Sequence, residues 1–250
     1  AVDVAGSFDG SYAPGAGSFN FGIPSGIPNN TDTAAGITGG ATVSIPYAIE
    51  INPPGAFTVE GWFQPASAAG GGNDYRTAIS SISNPYGIGP NGWLVYQTAG
   101  NNWAWWPYNG FYNGIQLTDY EQIIANEWYY LAMVYYGTNF TFYVNGAAKA
   151  SGTDSAFVQN GNVPIGGAAN YNYNYNSNSI SGFPSSEAFT IGQRVDDAFN
   201  PFDGTIDDVA VYNKALTPQQ IQDHFLNSTH LIIANSGNNV VIQWSAGTLQ

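Results

Sequence analysis

Residues 126–146 read NEWYYLAMVYYGTNFTFYVNG, and the fold follows from how this stretch divides. Positions 128–136 are almost wholly aromatic, aliphatic or small. The run is too short for a typical helix and rich in β-forming residues, which predicts a strand buried on both faces. Gly137-Thr138-Asn139 supplies a turn. Phe140, Phe142 and Val144 then alternate with Thr141, Tyr143 and Asn145, a second strand with one apolar face. Asn145-Gly146 tolerates positive φ and suits a type I′ turn, so a third strand is expected to fold back through Ala148 and Ala150. Three antiparallel strands in a meander form the middle of a sheet that the remaining segments must cover.

The chain of 250 residues can bury a large core as one β-rich domain, or as one domain with a small appendage. Only 8% of its residues are charged, about a third of the ~25% usual in soluble domains. Asn, Gln, Ser, Thr, Tyr and backbone must therefore wet the surface. Arg76, Lys149, Arg194 and Lys214 are the only cations against seventeen carboxylates, and the net charge of −13 repels phosphate backbones and anionic lipid. Nucleic acid and membrane surfaces are thus poor partners, and neither nucleic-acid binding nor membrane insertion is expected; neutral polar ligands and divalent cations stay open. The absence of cysteine excludes disulfides, thiolate metal sites and thiol nucleophiles. No apolar run approaches the ~18 residues of a membrane span. A start at Ala1 is what a secreted protein shows after its leader is removed, and a cut within a longer chain explains it equally well.

Residues 1–40 are rich in Gly, Ser, Pro and Asn, and are expected to form edge strands and long surface loops. In ATVSIPYAIEI (41–51), Val43, Ile45 and Tyr47 share a face, with Pro46 restricting the strand to an edge or a bulge. FTVEGWFQP (57–65) has an aromatic on each face and is expected mid-sheet. Residues 77–82 form another strand, and 92–97 pairs with 102–106 across a turn at 98–101. The stretch through Gly114 is expected to be a long loop, as are residues 153–187. Strands follow at 188–191 and 204–212. One helix is expected from Thr217-Pro218-Gln219-Gln220, with Thr217 as N-cap, Pro218 at the first helical position and Gln220 closing a capping box. Ile221, Phe225 and Leu226 are its candidate apolar stripe. Many short strands and one late helix, without a βαβ rhythm, give an all-β antiparallel sandwich.

Three separated segments resemble one family, the laminin G-like or concanavalin A-like jelly rolls of bacterial extracellular proteins. FTVEGWFQP resembles that family's "FT-E-W--P" strand, and NEWYYLAMVYYGTNFTFYVNG its "W-h-A--yd-----lYvNG" hairpin. IGQRVDDAFNPFDGTIDDVAVYNKALTPQQIQDHF (191–225) resembles the closing "iG-----F-G-IDEv-iynraLs--eI" segment. The resemblance covers roughly residues 40–228. It implies two packed antiparallel sheets, one of them concave, with loops at the rim. It also implies a place at the cell surface or outside the cell, among glycan-binding modules, adhesion domains, spacers and, more distantly, glucanases. Many such domains bind one calcium ion.

Catalysis by the glucanase route needs two carboxylates ~5–5.5 Å apart, a few residues from each other on one strand. Glu60 shares a face with Trp62 but has no acidic residue two or four positions away. Asp196-Asp197 and Asp207-Asp208 are adjacent, and on a regular strand point to opposite faces. His224 and His230 have no serine-centred motif nearby. A glycoside hydrolase is therefore the least favoured reading. For calcium, five aspartates fall within residues 196–208, and hard oxygen ligands in a Gly/Asn-rich setting suit that ion. The resemblance makes Asp208 the candidate ligand, together with Asp9; the alternative is that Asp207 or Asp208 caps backbone N–H groups or pairs with Arg194.

For sugar binding, residues 101–113 (NNWAWWPYNGFYN) set three tryptophans, two tyrosines and a phenylalanine among asparagines. Flat rings stack on the C–H face of a pyranose while amides and hydroxyls satisfy its hydroxyl groups. Trp106, Tyr108, Phe111 and Tyr112 are the candidates expected on an exposed loop. Tyr171, Tyr173 and Tyr175, in the YNYNYN tract, would form a second wall. Trp103 and Trp105 flank Ala104 and fit the core equally well.

The jelly roll is complete by about residue 230, which leaves 231–250 as a β tail. Leu231–Ile233 and Val240–Trp244 read as short apolar strands that augment this domain's sheet, open a following module or donate to a neighbouring copy. The sequence thus favours a non-catalytic extracellular module for a neutral polysaccharide or cell-surface glycan. The alternative, of a different class, is a filament or surface-layer subunit that self-associates through residues 231–250.

Overall fold

The computed structural model describes residues 6–27, 31–83, 90–109, 114–157, 159–161, 187–195, 199–226, 231–236 and 239–244. With strands numbered in chain order, the first sheet runs β1 (Ser11–Ala13), β4 (Thr42–Ile45), β13 (Phe189–Ile191), β6 (Arg76–Ser83), β7 (Asn91–Gln97), β8 (Trp103–Asn109) and β9 (Leu117–Thr118). The two-residue β14 (Asn200–Pro201) pairs parallel to β6. The second sheet runs β12 (Ala147–Thr153), β11 (Asn139–Val144), β10 (Tyr129–Tyr136), β5 (Phe57–Pro65), β15 (Gly204–Tyr212), β3 (Thr33–Thr38) and β2 (Ser18–Pro24). Apart from β14, every pairing is antiparallel, and the architecture is the two-sheet sandwich expected from the strand pattern.

The meander at 126–146 lies where its sequence places it. β10 has neighbours on both sides and buries Leu131 and Met133 between the sheets, and Tyr130, Ala132 and Val134 on the opposite face. Asn145 and Gly146 take φ of 51° and 75°, the left-handed pair that a type I′ hairpin requires. Between the sheets, Phe57, Val59 and Phe63 of β5 meet Trp93 and Val95 of β7 and Trp103 and Trp105 of β8. Trp105 packs edge-on against Phe140 at 5.2 Å. Each of these inward positions follows from period-two alternation.

Helix α1 (Pro218–Leu226) lies across the outer face of the second sheet. Its N-terminus carries the expected capping box: the Gln220 N–H donates to Thr217 Oγ1 at 3.2 Å, and the Thr217 N–H to Gln220 Oε1 at 2.9 Å. Ile221 is fully buried, and Phe225 stacks on Trp62 with ring centres 5.8 Å apart. Leu226, assigned to the same stripe, is 51% exposed.

Two local expectations are corrected. β4 is not an edge strand, because it pairs with both β1 and β13. It accommodates Pro46 by ending at Ile45, so the missing N–H falls outside the ladder. The hairpin strand expected to stop at Trp106 continues through Pro107 to Asn109 in register with β7. At the tail, β16 (Leu231–Ser236) and β17 (Asn239–Trp244) pair with each other and, among the described residues, with neither sheet of the sandwich. No helix among the described residues is long and apolar enough to cross a membrane.

Candidate functional site

The outer face of the first sheet carries an aromatic layer. Alternation along β8 sends Trp103 and Trp105 into the core, and Ala104, Trp106 and Tyr108 outward, where they join Ile82, Leu94 and Tyr96. Trp106 and Tyr108 stack with ring centres 4.8 Å apart. This corrects the expectation that both are loop-borne and exposed. They sit on a strand, Tyr108 is 2% exposed, and Trp106 is half-buried with its indole N–H sealed from solvent. The remaining glycan candidates, Phe111, Tyr112, Tyr171, Tyr173 and Tyr175, lie outside the described residues.

Beside this layer, an open cleft of about 330 Å³ lies where the β7–β8 turn meets β9. Tyr75, Thr98, Ala99, Gly100, Asn102, Gln116, Thr118 and Tyr120 line it, with no charged side chain among them. The chain builds it from the turn upward. Asn101 adopts φ of 61°, its side-chain amide donates to the Ile123 carbonyl at 2.8 Å, and its backbone carbonyl accepts the Ile123 N–H at 2.9 Å. Asn102 Nδ2 donates to the Glu121 carbonyl at 2.9 Å, and Gln122 Nε2 to the Gly100 carbonyl at 3.1 Å. These bonds clamp residues 119–123 to the turn. Leu117 faces the core while Thr118, opposite Ala104, faces out. Continuing the alternation leaves Tyr120 at the rim, 86% exposed.

The opposite wall is held as firmly. Tyr75 stacks on Phe199 at 5.1 Å, leans on Tyr96 at 6.1 Å, and accepts the Asn200 N–H at its carbonyl at 2.8 Å. Burial drives the Tyr96 hydroxyl far above its ordinary pKa, with Tyr108 and Tyr75 adding to the effect, so it stays neutral. Two aromatic rings, the amides of Asn102 and Gln116 and the hydroxyls of Thr98 and Thr118 give the cleft uncharged donors and acceptors beside apolar faces. Sequence reasoning singled out neither Tyr75 nor Tyr120. The legible signal was Gln116-Leu117-Thr118-Asp119-Tyr120, whose single core-facing Leu117 forces Gln116, Thr118 and Tyr120 onto one outward side.

A second polar group lies under helix α1. Glu60, 7% exposed on β5, accepts from the Tyr130 hydroxyl at 2.6 Å and the Tyr212 hydroxyl at 2.9 Å. His224 Nδ1 stands 3.0 Å from each carboxylate oxygen. The bond to Glu60 raises the His224 pKa above its ordinary value, against the opposing effect of burial. Desolvation first, then the Glu60 charge, raises both tyrosines. These residues, up to 164 positions apart, form a closed node pinning the helix to the sheet. Sequence reasoning noted Glu60 and His224 separately and missed that they meet, because no local spacing links them.

The two candidate metal ligands are placed on different sheets. Asp9 precedes β1, whereas Asp208 sits in a bulge of β15 with φ of 42°. Partial desolvation and then the carboxylates of Asp207, Asp32 and Glu60 raise the Asp208 pKa; Asp9 is not among its influences. The bulge also overturns the regular alternation assumed for Asp207-Asp208. Among the described residues, no group of three or more His, Asp or Glu side chains could hold a metal ion.

A family model described as the concanavalin A-like lectin/glucanases superfamily matches residues 37–182 and 172–222. Domain 4 of an extracellular arabinanase from Geobacillus stearothermophilus, solved with arabinotriose, superposes with a TM-score of 0.51 at 19% identity, over 86% of this chain and 80% of that one. The binding domain of botulinum neurotoxin serotype G gives 0.57 at 14% identity, over 88% of this chain and 47% of the other. Trypanosoma rangeli sialidase gives 0.52 at 13% identity, over 79% and 28%. The chain therefore spans about half of the neurotoxin domain and just over a quarter of the sialidase. At these identities the likeness is one of fold. No curated protein sequence matches.

Proposed function

Since the chain belongs to the concanavalin A-like lectin/glucanase superfamily, we propose that it is a non-catalytic, extracellular glycan-binding module whose ligand enters the Tyr75–Tyr120 cleft. The observation that carries this reading is the cleft's lining, two tyrosine rings and a set of amides and hydroxyls with no ionised group. Carbohydrate recognition among solved structures of the same fold, such as the arabinanase domain with arabinotriose, supports it. The surroundings of Glu60 favour binding over hydrolysis. Glu60 is covered by α1, and its oxygens are engaged by Tyr130, Tyr212 and His224, so a glycosidic oxygen has no approach to it.

The test is a glycan array probed with wild-type protein and Tyr120→Ala. Wild type is expected to bind at least one oligosaccharide and the variant to lose most of that signal. Retained binding by Tyr120→Ala would remove the cleft from the account. Release of reducing sugar by wild type that disappears in Glu60→Gln would replace a binding module with an enzyme.

A further inference from the structure

Asn101 stands between two residues of the cleft lining, Gly100 and Asn102, and is not itself part of that lining. Its side chain is spent on the protein. Oδ1 accepts the Ala69 N–H at 3.1 Å and Gln97 Nε2 at 2.8 Å, and Nδ2 donates to the Ile123 carbonyl at 2.8 Å. Because one partner is a backbone N–H and another a backbone carbonyl, the amide has a single satisfactory orientation. The Asn101 N–H donates to the Thr98 carbonyl at 2.8 Å, and its carbonyl accepts the Ile123 N–H at 2.9 Å. One residue thereby joins the loop that leads to Tyr75, the end of β7, the turn, and the segment that carries Tyr120.

The link to Tyr75 is stiff. Gln97 Nε2 and Arg76 Nη1 both donate to the Ser67 carbonyl at 3.2 Å, and the Gly70 N–H donates to Asp74 Oδ2 at 2.6 Å. Arg76 closes the loop with a two-point pair to Asp74, 2.9 Å from Nε and 2.7 Å from Nη2. On the other side, Ile123 is 4% exposed and is held at both its N–H and its carbonyl, three residues from Tyr120. The φ of 61° at Asn101 is left-handed, a region that asparagine tolerates better than most residues. The position therefore asks for a short amide and a left-handed backbone together, which asparagine supplies.

We propose that Asn101 is a positioning residue that fixes the Tyr75 and Tyr120 walls relative to each other, so that the cleft is formed before its ligand arrives. It acts through the two walls and not by touching the ligand, and a site ordered in advance spends less binding free energy on ordering itself. The inference rests on the cleft being the glycan site. It goes further in naming a residue outside the lining on which affinity depends.

Two variants test it. Asn101→Gly keeps the left-handed backbone and removes all three side-chain bonds. Asn101→Asp keeps the acceptor for Ala69 and Gln97 but sets an oxygen against the Ile123 carbonyl, so only the Tyr120 wall is released. Val59→Ala, at a fully buried core position on β5, controls for general loss of stability. Amide hydrogen exchange on the ligand-free proteins is expected to be about tenfold faster at Ala69 and Ile123 in Asn101→Gly, and at Ile123 alone in Asn101→Asp, with β10 unchanged in both. Titration calorimetry with hexasaccharides of arabinan, xylan, galactan and β-glucan, well below every melting midpoint, reads affinity. The best-bound probe should lose about five- to tenfold in Asn101→Gly, less in Asn101→Asp, and nothing in Val59→Ala. Wild-type affinity or unchanged exchange in both Asn101 variants overturns this inference alone, as does an equal loss of affinity in Val59→Ala. Silence of wild type toward every probe overturns the binding-module reading and the inference with it.

Discussion

Replacing Tyr130 by Phe removes one oxygen from the node beneath helix α1, and its cost follows from the geometry. The Tyr130 hydroxyl donates to Glu60 Oε2 at 2.6 Å, and Tyr130 is 1% exposed. The ring's packing survives the change, with Trp62 at 5.4 Å and Phe225 at 6.0 Å. What is lost is a hydrogen bond to a buried carboxylate, which contributes about 1.5–3 kcal/mol. At ~2–4 °C per kcal/mol for a domain of this size, the melting midpoint should fall by about 3–12 °C. Differential scanning calorimetry on Tyr130→Phe, with Tyr136→Phe as control at a position 67% exposed, gives the comparison. The control is expected within about 0.5 kcal/mol of wild type. Should Tyr130→Phe match the control, Glu60 does not depend on that hydroxyl, and the node is not what seals the carboxylate under the helix.

The same node gives a pH prediction. The His224 pKa is raised by its bond to Glu60, so its stabilisation is complete below about 6.5, the ordinary histidine value, and is lost as pH rises through the higher folded-state value. Wild type should therefore lose its stability advantage over His224→Gln in alkaline melts; an advantage that grows with pH would contradict the sign. Asp74 runs the other way. With its pKa lowered to about 2, its contribution is present above about 4 and disappears between about 4 and 2, so Asp74→Asn should flatten the acid limb of a stability-versus-pH curve. In the core, Trp105 is fully buried between Phe57 and Phe140, and Trp105→Ala should cost about 3–5 kcal/mol by urea denaturation. Removing residues 231–250, whose described strands pair with neither sandwich sheet, should leave glycan binding unchanged in a pull-down; loss of binding would tie the tail to the site.

The fold was legible because its decisive features are local. Alternation in β5, β10 and β11, the Asn145-Gly146 turn and the Thr217–Gln220 capping box each act within a few residues, and each is present as read. Pro46 was misjudged because a strand can end before a proline instead of lying at an edge. Local pattern failed more seriously at the site. Density of aromatic residues pointed to Trp106 and Tyr108, yet the pairing of β8 with β7 extends far enough to bury Tyr108 and half-bury Trp106. Tyr120 stands in a segment of ordinary composition and gains its position only from the clamp of residues 119–123 onto the turn at 98–102. Glu60 and His224 show the same limit, since only the docking of the helix brings them together.

Amide chemical-shift mapping by NMR, during titration with the best-bound neutral oligosaccharide, addresses the central claim most directly. The account predicts saturable shifts concentrated at Thr98, Gly100, Asn102, Gln116, Thr118 and Tyr120, the residues around the cleft, with Glu60 and its helix unmoved. Shifts centred on the Glu60–His224 node, or scattered without reference to the cleft, would contradict it.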